Sequence, residues 1–239
     1  DLLLNNELYV SLNHHGKFSG LEKGQVLKCI NDEIQHVNEH FKESDFIVIT
    51  LGTSFVYEYL ELQKIAANCH KIPNTKFAKR LLTIPEIIEA FGTIQLYLQN
   101  KKIIFTVSPV RHWRDGAVEN QRSKSILIEG IHQIIDAHSN CIYFPAYEIM
   151  MDELRDYRFY EKDMLHPNTV AVEYIWQRFS ETYFSASTQQ INQQIAKINL
   201  LLQHRIKHEN TNEQKQFNAS VEKAIEKFKE EFPTVKVNF

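Results

Sequence analysis

Cysteine is scarce in this sequence: Cys29, Cys69 and Cys141 are the only three, and no two form a CxxC pair. That spacing builds neither a disulfide framework nor a thiolate metal site, and it fits a reducing, cytoplasmic setting. No apolar run approaches the roughly 20 residues needed to span a bilayer, and no secretory or transit leader is visible, so a membrane is not an expected partner. Positive charge is not in surplus either. Lys and Arg number 27 against 30 Asp and Glu, a formal net charge of -3, whereas a nucleic-acid binder carries a basic excess. Internal repeats, low-complexity tracts and a Gly-x-Ser-x-Gly nucleophile elbow are all missing. The chain starts at Asp1 rather than Met, as expected of a processed, trimmed or partial polypeptide.

What is present is an ordinary globular balance. Of 239 residues, 43% are hydrophobic and 24% charged, enough to build one domain with an appendage. From Lys23 to Phe41, the apolar residues Val26, Leu27, Ile30, Ile34, Val37 and Phe41 recur at three and four, the signature of an amphipathic helix. Three short β-branched or aromatic runs, 45–51, 102–108 and 141–145, read as buried strands. Helical patterns over 85–98 and 120–137 separate them. Strand and helix alternating with short connections implies a parallel sheet. The first two runs lie far apart, and residues 55–69 read as an inserted β-hairpin. An aromatic helix is expected over 168–183. Beyond Ser185 the chain turns polar, with apolar residues at helical spacing in two helices broken near Asn210. We therefore expect an α/β domain over 1–185 and a helical extension over 186–239, whose helices offer a surface for oligomerisation.

Three constellations carry candidate chemistry. In Asp163-Met164-Leu165-His166-Pro167-Asn168, an Asp three residues before a His on a tight loop can bond one ring nitrogen, leaving the other to act as a base. A turn-capping Asp beside an exposed His is the plain alternative, and the helix expected directly afterwards favours the functional reading. Gly52-Thr53-Ser54 ends the first strand, on the sheet edge where open α/β sheets bind ligands. Gly52 and Ser54 are candidate oxyanion donors there, and Ser54 is also a weak candidate nucleophile. The polar loop after the second strand, Pro109 to Glu119, falls on the same edge. In and beyond it, Arg111, His112, Asn120 and Arg122 are candidate substrate-binding groups, with the arginines suited to a carboxylate or phosphate. Arg122 paired to Glu119 in a first helical turn is the bland alternative. Cys69 and His70 read as packed residues rather than metal ligands, and no metal or cofactor is expected.

Several blocks together resemble the GSCFA domain family of bacteria: Thr50 to Tyr57, Asn68 to Lys71, Ser108 to His112, Glu119 to Lys124, and Tyr147-Glu148 through Asp163 to Pro167. That family is similar to the SGNH, or GDSL-like, hydrolases. The resemblance implies a flavodoxin-like, SGNH-type three-layer α/β/α fold and a metal-free Ser–His–Asp arrangement, with Asp163 and His166 as the Asp and His. It places Gly52 in the oxyanion block and Ser54 where those enzymes usually have Asn. The name motif Gly-Ser-Cys-Phe-Ala, which would supply the serine on the first strand, is not in this chain. The resemblance thus implies that the first strand and the nucleophile lie elsewhere. Two functions follow as expectations. One is a serine ester hydrolase or acyltransferase acting on a small or glycan acyl ester. The other is a non-catalytic module of the same fold that binds a ligand or partner.

Overall fold

The computed structural model describes residues 2–203 and 212–239. Its central sheet has three parallel strands: β3 (Phe46–Leu51), β7 (Lys102–Val107) and β8 (Cys141–Phe144), in the order β3-β7-β8. Register is set by Phe46 opposite Lys102 and Ile103 opposite Cys141. These are the three runs expected from sequence. Parallel neighbours need crossovers, and the helices α2 (Ile84–Gln95) and α3 (Gly116–Ala137) lie in the two connections. One face of the sheet is a closed core: Ile103, Phe105 and Val107 pack with Ile87 and Phe91 of α2 and Leu127, Ile131 and Ile134 of α3. A Cβ added at Gly130 would stand 3.2 Å from the Ile87 side chain, so the close approach of α2 and α3 depends on that glycine.

β3 is an edge strand, and its two faces differ. Ile47, Ile49 and Leu51 join the core, whereas Phe46 and Val48 are 62% and 52% exposed.

The 55–69 insertion is larger than the expected hairpin. Strands β4 (Phe55–Tyr59), β5 (Lys64–Ala66) and β6 (Phe77–Leu81) form an antiparallel sheet in the order β5-β4-β6. Leu12, Tyr59, Ala66 and Ile72 make a second small core beneath it. The opening segment is a tight hairpin, β1 (Leu3–Asn5) with β2 (Leu8–Val10). Its turn residues Asn6 and Glu7 both take positive φ, 47° and 69°, which matches the right-handed twist of the flanking strands. Helix α1 (Lys23–Glu43) follows, with Val26 and Ile30 buried.

The expected loop from Pro109 to Glu119 is shorter than the sequence suggests, because α3 begins at Gly116. After β8, a short turn α4 (Ala146–Glu148) runs into a π-helical stretch, Ile149–Leu154, and the chain reverses at Arg155 with φ 54°.

The chain divides into two units, Asp1–Val172 and Glu173–Phe239. The division falls inside helix α5 (Thr169–Tyr183), earlier than the expected change at residue 185. The second unit contains the rest of α5 with α6 (Ala186–Gln203) and α7 (Asn212–Glu231). Ile198, Val221 and Phe228 are buried in it, and Gln194 donates to Glu231 at 3.1 Å. The break expected near Asn210 lies outside the described residues. Among the described residues no helix is long and apolar enough to cross a membrane.

Candidate functional site

The Asp163–His166 loop is built around one carboxylate. Asp163 Oδ1 accepts the backbone N–H groups of Leu165 at 2.8 Å and His166 at 3.0 Å, which curls the chain back on itself. Asp163 Oδ2 lies 2.6 Å from His166 Nδ1. Met164, between them, takes φ 63° to allow the turn. A second shell of backbone bonds fixes the loop: Glu161 N donates to the His166 carbonyl at 2.8 Å, and Asn168 N to the Phe159 carbonyl at 2.9 Å. Asn168 Oδ1 then accepts Ala171 N–H at 3.1 Å and caps α5. Pro167 therefore precedes the helix rather than occupying its first turn, and pairs with Tyr160 in an isolated bridge.

Both functions of the Asp are thus served by one side chain. The imidazole is held by its Nδ1, and its ring is 59% exposed, with no hydrogen bond to Nε2 among the described residues. The two backbone N–H groups, then the imidazole, pull the Asp163 pKa down to about 2. Its folded value lies below the ordinary value near 3.9. Its stabilisation of the loop is therefore complete above that ordinary value and is lost as pH falls towards about 2. We expect the loop amides of Leu165 and His166 to lose exchange protection in that acid window, and Asp163→Asn to abolish the pH dependence. NMR-detected hydrogen exchange between pH 5 and 2 checks this, and an identical profile in the variant would sink it.

The other strand ends converge on the same edge. Arg111 N–H donates to the Leu165 carbonyl at 3.2 Å, joining the loop after β7 to the His166 loop. His112 N–H donates to Asn120 Oδ1 at 2.8 Å, so the buried Asn120 orients that loop from the first turns of α3. Asp115 of the same segment pairs with Lys79 of β6. His112 lies against Gly52: a Cβ there would be 3.3 Å from its Nε2. Burial first, then electrostatic repulsion from Lys124 and His166, lower the His112 pKa, which disfavours the protonated ring there. Gly52→Ala should displace His112 by a few tenths of an ångström and cut any turnover at the site by about tenfold, at nearly unchanged Tm. Paired rate and melting measurements test this, and an unchanged rate would show the contact to be idle.

Sequence reasoning missed the residue that holds this edge together. Lys124, in α3, is 0% exposed, and its Nζ donates to two carbonyls, Gly52 at 2.6 Å and Ser108 at 2.6 Å. One ammonium so ties the ends of β3 and β7. Burial lowers its pKa to about 8. Its neighbour Ser123 does the same for the next turn of chain: its Oγ accepts Ser54 N–H at 2.7 Å and the Ser54 hydroxyl at 3.1 Å, and lies 2.9 Å from Thr53 Oγ1. Ser54 is 0% exposed, so both its donors face the interior. Arg122 is exposed and bonds Glu119 through both carboxylate oxygens, at 2.8 and 3.0 Å. It lines a shallow surface of α3 with Val118 and Ile126, apart from Arg111.

The structure therefore gathers Gly52, Arg111, His112, Asn120, Asp163 and His166, and turns Ser54 inward and Arg122 aside. Cys69 and His70 are half-buried in the turn before Ile72: His70 Nε2 lies 2.6 Å from the Ser11 carbonyl, and burial raises the Cys69 thiol pKa. Among the described residues no group of three His, Cys, Asp or Glu is placed to hold a metal ion.

A comparison with family models finds one described as the GSCFA family matching residues 1–179. No curated protein matches the chain, and no solved structure matches it.

Proposed function

Since this chain belongs to the GSCFA family, we propose that it contributes the His and Asp of an SGNH-type serine ester hydrolase or acyltransferase, acting on a small or carbohydrate-linked acyl ester. In this reading β3, β7 and β8 are consecutive strands of a flavodoxin-like three-layer α/β/α fold. The single observation that carries it is the 2.6 Å bond between His166 Nδ1 and Asp163 Oδ2, with Nε2 left open on the ring's exposed side.

In this reading the attacking hydroxyl would be that of the serine in the family's name motif, on a strand that would lie beside the open edge of β3. Its oxygen forms a bond to the acyl carbonyl carbon while its proton passes to His166 Nε2. The tetrahedral adduct then collapses, the ester C–O bond breaks, and the leaving alkoxide takes the proton from His166. Water, or an acceptor alcohol in a transferase, repeats the sequence on the acyl-serine. Asp163, far below its ordinary pKa, stays ionised throughout and supports the transient imidazolium. With Ser54 engaged by Ser123, oxyanion donors on this block are the backbone N–H groups beside Gly52.

Short-chain nitrophenyl esters test the proposal on the intact gene product. Turnover that disappears in His166→Ala supports it. No turnover, or turnover indifferent to His166, favours a binding module of the same fold, a reading that the inward-facing Ser54 also supports.

A further inference from the structure

A cleft of about 380 Å³ opens beside Asp163, lined by Arg111, Trp113, Tyr157, Asp163, Met164 and Leu165. Arg111 stands among aromatic rings. Its guanidinium carbon lies 4.2 Å from the Tyr160 ring centre, 5.3 Å from Tyr157 and 5.4 Å from Trp113. Rings at these distances attract the cation and strip water from it, and Tyr160 also shares a side-chain hydrogen bond with Arg111, but a neutral hydroxyl does not balance the charge at the guanidinium's N–H edges. Those edges need an anion, and among the described residues no carboxylate forms an ion pair with Arg111. The one carboxylate lining the cleft, Asp163, is already committed to two backbone N–H groups and the imidazole. A guanidinium with covered faces and no carboxylate on its N–H edges is set up for a planar oxyanion, which it binds through two parallel N–H···O bonds.

Two of the rings do more than hold the arginine. Trp113 and Tyr157 are 43% and 58% exposed at the rim of the cleft. Large flat rings left in solvent beside a polar site offer an apolar platform to a ligand, and a saturated sugar ring presents one C–H-rich face of matching size. An exposed ring and a planar anion receptor, a few ångströms apart, together ask for a sugar that carries a carboxylate.

We propose that this cleft is a subsite for an acidic sugar, with the uronate carboxylate on Arg111 and the sugar ring on Trp113 or Tyr157. Taken with the esterase reading, on which this part rests, the acyl group would sit on a neighbouring hydroxyl of the same acidic glycan, within reach of His166. The shared anchoring of the two loops, Arg111 N–H to the Leu165 carbonyl, keeps subsite and imidazole in fixed register.

The test uses an unacylated galacturonate trisaccharide and its neutral galactose counterpart, titrated into the intact polypeptide by calorimetry and tryptophan fluorescence. The acidic sugar should bind at least about tenfold more tightly, a preference that falls as salt rises. Arg111→Gln should erase the preference, Arg111→Lys should keep part of it, and Tyr157→Ala, at an exposed ring, should weaken the acidic ligand without unfolding the chain. Equal affinity for the two sugars, binding of neither, or a preference that survives in Arg111→Gln overturns the proposal. The probe has no ester to cleave, so missing esterase turnover would remove the catalytic reading and leave this one standing.

Discussion

His166→Ala in the intact gene product should lower kcat for acyl-ester turnover by at least about 10³-fold, with little change in KM. The reason is geometric. The ring is fixed through Nδ1 by Asp163 and otherwise projects into solvent, so its removal takes away the base and disturbs no packing. Asp163→Asn should be comparably damaging, by about 10³- to 10⁴-fold, for a different reason. The carboxylate accepts three donors: two backbone N–H groups on Oδ1 and the imidazole on Oδ2. An amide has one acceptor oxygen, so its NH₂ must face either the backbone donors or the ring. If the loop keeps the oxygen, the ring is driven into the wrong tautomer. A steady-state comparison of wild type and both variants decides this, and a variant rate within tenfold of wild type would remove Asp163–His166 from the chemistry.

Lys124→Met should cost about 2–4 kcal/mol of stability, read as a lower denaturant midpoint at unchanged slope. Met fills the same space, but it leaves the Gly52 and Ser108 carbonyls without their donor. Removal of the ammonium from a dry position offsets part of that loss. The pH dependence separates this account from a simple packing defect. Lys124 has a folded pKa near 8, below its ordinary value near 10.4. Between those values the unfolded chain binds more protons than the native one, so stability should rise with pH across that window. The variant should lose the rise. It should also raise the His112 pKa, because repulsion from the Lys124 charge is one of the causes that lower it. Denaturation from pH 7 to 11 and histidine NMR titration provide the two readouts. A stability curve as steep in Lys124→Met as in wild type would show that the lysine is not the titrating group.

How far the sequence could be read depended on how local each signal was. The three parallel strands were legible because each is a nearly unbroken β-branched or aromatic run. β6, Phe77–Leu81, was not, since Phe-Ala-Lys-Arg-Leu reads as a polar connector; its Lys79 finds Asp115 outside the sheet, and its Arg80 bridges Glu58 on the neighbouring strand β4 and Glu86 of α2. The start of α3 was hidden in the same way: the helix was legible from Asn120 onward, but Gly116 to Glu119 read as the end of the polar loop, because a glycine beside Asp115 looks like a turn rather than a first helical residue. The Asp163–His166 pair could be found because both members lie within one turn of chain. Lys124 could not. A lysine in the middle of a helix reads as surface, and only the crossing of α3 beneath two strand ends makes it interior. Ser54 was placed at a strand end correctly but its direction was not readable, since that depends on Ser123, 69 positions away. The aromatic box around Arg111 has the same origin: Tyr157 reaches the guanidinium only after the loops at one edge of the sheet have come together.

A planar trans peptide points its carbonyl and its N–H in opposite directions. With the Gly52 carbonyl held by Lys124, the N–H of the same peptide unit, that of Thr53, is turned away from the ammonium. The other clamped carbonyl, that of Ser108, belongs to a peptide whose nitrogen is Pro109 and carries no hydrogen. One clamp therefore aims a donor and the other aims nothing. The two strand ends, tied to a single cation, form a compass with one needle: swapping Pro109 for any other residue would give it a second.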